Sequence, residues 1–273
     1  MSIPAVEDPR VVFADWLLEA DNPWFARAIV NRVWSWLLGR GLIHEPDDIR
    51  PDNPAVMPEI LTRLEKELVT ANYDLRHIYR LILTSSLYQQ SSIPRSNHAE
   101  AETLFAHYLV RRLDAEVLID ALCWIADDGE GYSSAIPEPF TFIPEHQRTI
   151  SLADGSISSQ FLEMFGRPPR DTGLESERNN EPTDAQRLHL LNSTHVQEKI
   201  EKSRRLKMVG RMAKGNPRAF TQMVYLMLLS RPPTEQEMAT AAEYVRKSGK
   251  NLNRGGADLA WALINTKEFL YRH

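Results

Sequence analysis

A chain of 273 residues, 42% hydrophobic and 25% charged, has enough material for one large globular domain or two smaller ones with a substantial core. A formal net charge of −5 speaks against general binding to a phosphate backbone, and the single Cys123 excludes an internal disulfide. No apolar run reaches the ~18–20 residues of a membrane span, and 17 Pro against only 12 Gly argues against a turn-rich sandwich or barrel.

The start, MSIPAVEDPR, lacks the basic stretch followed by an apolar stretch that marks a signal peptide. Asp8-Pro9 reads as an N-cap with Pro at the first helical position, opening a helix over 9–20. Asn22-Pro23 repeats that signal, and Gly39 and Gly41 close the second helix. This second helix, NPWFARAIVNRVWSWLLGRG, is apolar over most of its circumference, and Trp24, Trp34 and Trp36 read as core residues. Arg27, Asn31 and Ser35 recur at a spacing of four along its remaining strip, with Arg32 at the edge. A polar strip on a buried helix needs partners, because an unpaired buried polar group is costly.

An acidic turn, HEPDDIRPDNP, leads to a third helix over 54–71 and a fourth opened by Asp74. A long fifth helix is expected over 98–126, stacking Arg112, Glu116 and Asp120 on one face at intervals of four. Residues 127–181 are rich in Pro and irregular, apart from one short apolar helix in SSQFLEMF and a weak signal for an extended pair in TFIPEHQRTISL. Pro182-Thr183-Asp184 starts a helix running to about 212, with room for a break. Asn216-Pro217, then Thr234 with Glu235 and Glu237, then a last helix over 253–270 complete the chain. The expected fold is all-α: a single domain of about eight helices, with helical halves 1–126 and 182–273 joined by the irregular segment 127–181.

Several candidate polar groups stand out. Glu116 and Asp120 are read as buried carboxylates answered by Arg27, Arg32 or Asn31 of the second helix, with a solvated face and a ligand or catalytic site as the other readings. FGRPPRDTGLESERNNEP alternates Arg167, Arg170 and Arg178 with acids; it is a loop pinned by its own ion pairs, or one lining a pocket whose Arg forks recognise carboxylate, phosphate or sulfate. Arg27, Asn31, Arg32, Arg112, Glu116, Asp120, Arg167, Arg170 and Arg178 together form the candidate binding cluster. No catalytic motif is present: no GxSxG, HExxH, CxxC, Walker loop or GxGxxG. His189 and His195 are six apart, which is not a same-face helical metal spacing, so no metal site and no cofactor are expected. Cys123, in DALCWIA, reads as a buried inert thiol. DDGEG reads as a turn, and the basic run through Lys199, Lys202, Arg204, Arg205 and Lys207 as a solvated face.

Blocks in order along nearly the whole chain resemble the planctomycete PSD-one domain family, a domain of unknown function. They are NPWFARAIVNRVWSWLLGRGLIHEPDDIR, YDLRHIYRLILTSSLYQQSS, RRLDAEVLIDAL, FGRPPRDTGLESER, EPTDAQRLHLLNS, LSRPPTEQE and DLAWALINTKEFLYRH. The resemblance implies the C-terminal part of a large exported protein, periplasmic or at the cell surface, following cytochrome-c-like modules and encoded near sulfatase-like proteins. The chain is then an excised domain, consistent with its lack of a signal peptide. Many relatives carry a Cys-x-Cys pair after GRPPR; the stretch from Thr172 to Arg178 has none. The resemblance brings no catalytic residues. Three functions follow as expectations: an interaction module binding other domains of its parent protein or a glycan; a hydrolase of an anionic, sulfated polysaccharide built on Glu116 and Asp120; and an accessory to cytochrome-c-like electron-transfer modules.

Overall fold

The computed structural model describes residues 8–272 apart from 20, 138, 144–145, 153–154, 168–176, 180 and 249–251. It is mainly α-helical, with more helices than the eight expected and two short two-stranded ladders where at most one extended pair was expected. The described residues divide into a compact first unit ending at Arg111 and a second from Arg112 to Arg272. None of the described helices is long and apolar enough to cross a membrane.

The first unit holds α1 (Pro9–Leu17), α2 (Phe25–Leu38), α3 (Pro58–Thr70) and α4 (Leu75–Leu83). The start signals act as the sequence predicts. Asp8 accepts from the Arg10 N–H, Asn22 Oδ1 from those of Trp24 and Phe25, and Asp74 from that of Arg76. Gly39 ends α2 in the left-handed region at φ 86°. The core joins Val30, Val33, Trp34 and Leu38 of α2 to Leu61, Leu64 and Leu68 of α3 and Ile78 and Ile82 of α4. Phe105 meets Trp34 edge-on at 5.5 Å. Two of the three expected core tryptophans lie outside this core: Trp24 is 47% exposed and Trp36 44%. Trp24 precedes the helix, and the face that α2 buries carries Asn31 and Ser35 rather than Trp36.

The fifth helix is shorter than its apolar pattern suggests. Residues 99–105 form turns, Phe105 is left-handed (φ 51°), and Arg111–Arg112 forms a strand, β1. Only Ala115–Ala126 is helical (α5), with Asp114 at its start. Arg112 therefore lies off the helix that carries Glu116 and Asp120.

The second unit continues through β2 (Ser133–Ser134) and β3 (Ile157–Ser158), antiparallel partners, to α6 (Gln160–Met164). The helix expected to reach about 212 is three: α7 (Asp184–Asn192), α8 (Thr194–Glu201) and α9 (Arg204–Met212). Ser193 and Ser203 break it, each capping the helix that follows through its hydroxyl. Next come α10 (Pro217–Leu229), α11 (Glu235–Lys247), α12 (Leu252–Ile264), α13 (Lys267–Leu270) and β4 (Tyr271–Arg272), the partner of β1. The Thr183–Gln186 and Thr234–Glu237 capping boxes open α7 and α11. Leu118, Ile119 and Leu122 of α5 are buried in one core with Phe161, Leu162, Phe165, Val196, Phe220, Val224 and Ile264.

Candidate functional site

The polar strip of α2 finds its partners inside the first unit. Arg27 pairs with Glu65 at 2.7 Å, and Arg32 with Asp47. Asn31, fully buried, donates to the carbonyls of Ile43 (3.0 Å) and Pro46 (2.9 Å) and accepts from the Ile43 N–H (2.9 Å). It clips the 43–46 turn to the helix. Gly41 lets this turn close: a Cβ there would lie 2.1 Å from the Ile43 carbonyl oxygen. Ser35 is buried, and its carbonyl accepts from Arg111 Nη1 at 3.0 Å.

Glu116 and Asp120 find different partners from the α2 groups expected of them. Glu116 is 7% exposed and takes a two-pronged contact from Arg178, at 2.8 and 2.9 Å, with Arg167 Nε at 3.3 Å. Arg167, itself buried, donates to the Ile157 carbonyl at 2.6 Å. Asp120 accepts from the N–H groups of Thr149 (2.6 Å) and Ile150 (3.2 Å), capping the short 3₁₀ turn Thr149–Ser151. Arg112 donates to Gln186 Oε1, and its guanidinium lies over the Phe165 ring at 4.8 Å. Burial pulls its pKa below the usual arginine range. Arg112, Glu116, Arg167 and Arg178 thus brace the region around α5 to α7; Arg170 lies outside the described residues.

A cleft of about 470 Å³ opens at the C-terminal end of α5. Asp120, Cys123 and Trp124 of α5 line it, as do Asp127 to Glu130, His146 to Arg148, and Arg204 and Arg205 of α9. Two loops meet there because Gly129 has no side chain: a Cβ would stand 2.8 Å from His146 Nδ1. Tyr132 ties the second loop down, donating to the Gln147 carbonyl at 3.0 Å.

The carboxylates of the cleft are engaged by the protein itself. Asp120 caps the 3₁₀ turn, and Asp128 accepts from the Gly129 N–H. Asp127 pairs with Arg205 at 3.0 Å, and Arg205 also lies over the Trp124 ring at 4.5 Å. Glu130, its side chain 6% exposed, meets His195 Nε2 at 3.0 Å and Lys199 Nζ at 3.3 Å. Burial pushes Glu130 upward, but the hydrogen bonds and charges of His195 and Lys199 outweigh it and hold the carboxyl below its usual range. Lys199 also donates to the Gly129 carbonyl (2.8 Å) and to Cys123 Sγ (3.4 Å). Burial pushes the Cys123 thiol up to about 11, so it is not a ready nucleophile. On the rim, Arg148 is 75% exposed, with a long contact of 3.5 Å to Asp120. Arg204 is exposed, as is Trp124 at 50%.

Glu130, His195 and Lys199 escape a reading that treats 184–212 as one helix. The break at Ser193 resets the helical phase, so His189 and His195, six apart, come face to face. The signal was present: Ser193 and Thr194 are both residue types that favour a helix N-cap. Among the described residues no three His, Cys, Asp or Glu side chains are grouped to hold a metal ion.

The PSD1 family, described as a protein of unknown function (DUF1553), matches residues 9–245 of the chain. No curated protein and no solved structure matches it.

Proposed function

The chain belongs to the PSD1 family of proteins of unknown function, and we propose that its second unit is a binding module that holds an anionic, polyhydroxylated ligand, of the sulfated or uronate saccharide kind, in the cleft at the end of α5. One observation carries this reading: the buried carboxylates of Asp120 and Glu130 are engaged by internal partners and the exposed Asp127 is paired with Arg205, while Arg148 and Arg204 stay exposed on the rim beside the half-exposed indole of Trp124. Guanidinium forks match the geometry of sulfate and carboxylate. The flat face of an indole packs against the apolar face of a sugar ring, and Arg205, over the Trp124 ring at 4.5 Å, holds that indole in place.

The same allocation of charge favours binding over hydrolysis. A glycosidase needs one carboxyl group that can donate a proton and a second acting as base or nucleophile. Here Asp120 is fixed by two backbone N–H groups, and Glu130 is held below its usual range by its contacts with His195 and Lys199. The resemblance supports setting this module in a larger exported protein beside cytochrome-c-like modules.

The test is an array of neutral, uronate and sulfated oligosaccharides probed with the whole chain. Retention on the charged members alone is expected, and no retention on any member refutes the reading.

A further inference from the structure

The two histidines brought together by the α7–α8 break carry an inference independent of the cleft. His195 Nδ1 lies 3.5 Å from His189 Nε2. Two nitrogens bound to one tetrahedral ion, at about 2.0–2.1 Å each, stand roughly 3.4 Å apart. The other nitrogen of His195 is 3.0 Å from Glu130 Oε2, and the carboxylate is steadied by Lys199 at 3.3 Å. With Nε2–H donating to that carboxylate, Nδ1 is left as a lone pair aimed at His189. This is the outer arrangement that orients metal-bound histidines. Both rings are wedged against aromatic neighbours: Phe161 lies 5.7 Å from His189 and 5.9 Å from His195, and Phe165 lies 6.0 Å from His189. The His195 side chain is 32% exposed, so an ion can reach it from solvent.

We propose that His189 and His195 form a two-histidine site for a divalent late first-row transition metal ion, with Glu130 as the group that orients His195. Imidazole nitrogens with open positions suit Cu²⁺, Zn²⁺ and Ni²⁺, and the stability order of these ions puts Cu²⁺ first. Without metal, the two rings share a proton along the same line. The ion takes the place of that proton after a small rotation of each ring, the proton moves to the other nitrogen of His189, and both rings coordinate as neutral imidazoles.

The experiment titrates Cu²⁺ and Zn²⁺ into the whole chain, followed by calorimetry, with electron paramagnetic resonance of the copper form. One Cu²⁺ with a spectrum of imidazole-nitrogen coordination is expected. His189→Asn and His195→Asn each abolish that spectrum, and Glu130→Gln weakens binding by about 10–100-fold. His98→Ala, altering an exposed histidine, leaves it unchanged. Circular dichroism identifies variants that keep the fold, and the wild-type copper spectrum tests the site without any substitution. No copper uptake by the wild type overturns the proposal. So does uptake that survives in folded forms of both histidine variants, or a histidine N–H···N bond seen by NMR that persists in excess Cu²⁺, which leaves a hydrogen-bonded pair only.

Discussion

Replacing Asn31 by Ala unpairs three buried groups at once: the Ile43 N–H and the carbonyls of Ile43 and Pro46. An orphaned buried donor costs about 1–3 kcal/mol, and the N–H has no second way to bond. Each carbonyl loses one donor, and the half-buried His44 and exposed Asp47 let water reach part of the turn, so they add less. The sum is about 3 kcal/mol, a large part of the ~5–15 kcal/mol that holds a domain folded. Asn31→Asp tests the reasoning further. It keeps the acceptor for Ile43 N–H but sets a carboxylate oxygen against two carbonyl oxygens, so it should cost at least as much as Ala. Guanidinium denaturation followed by tryptophan fluorescence checks both, because the buried Trp34 reports on this core. A lower midpoint with an unchanged slope is expected. A loss below about 1 kcal/mol for either variant, or unchanged amide exchange at Ile43, would refute the account of α2.

Further outcomes follow from the second unit. Glu116→Gln leaves the buried Arg167 and the part-buried Arg178 without their shared carboxylate and should cost about 2–4 kcal/mol. Adding Arg178→Gln should cost less than the sum of the two single changes, as a thermodynamic cycle measures. Arg231 forks onto Glu237 and Glu268 at 2.6 to 2.9 Å, and its hydrogen bonds hold Glu237 down to about 2. That stability is complete above the ordinary glutamate pKa and fades as pH falls towards about 2. With a third of the side chain exposed, solvent screening reduces it to about 1 kcal/mol. An acid titration of stability in which Arg231→Met shows the same loss as wild type would contradict this.

Helix starts were legible because they are local: Asp8, Asp74, Asn216 and Thr234 each accept from N–H groups two or three residues on. What periodicity missed depends on tertiary partners. The apolar run before α5 reads as helix, yet Arg111–Arg112 pairs with Tyr271–Arg272, a strand at the far end of the chain. In α2 a polar strip and an indole compete for the buried face. Asn31 and Ser35 win because the Ile43 and Pro46 backbone comes to meet them, and no hydrophobic scale records that. Glu116 was legible as a buried carboxylate in need of Arg, but its partners come from the loop beyond α6 rather than from α2. Helical spacing sets His189 and His195 apart, a rule that fails wherever a cap such as Ser193 restarts the phase.

The most direct test of the binding account is a calorimetric titration of a sulfated oligosaccharide into wild type, Trp124→Ala and the double variant Arg148→Ala, Arg204→Ala. Binding by the wild type that weakens as salt rises is expected, with at least a tenfold loss in the double variant (about 1.4 kcal/mol) and a smaller loss for Trp124→Ala. Equal affinity in all three proteins, or none in the wild type, would contradict the binding account.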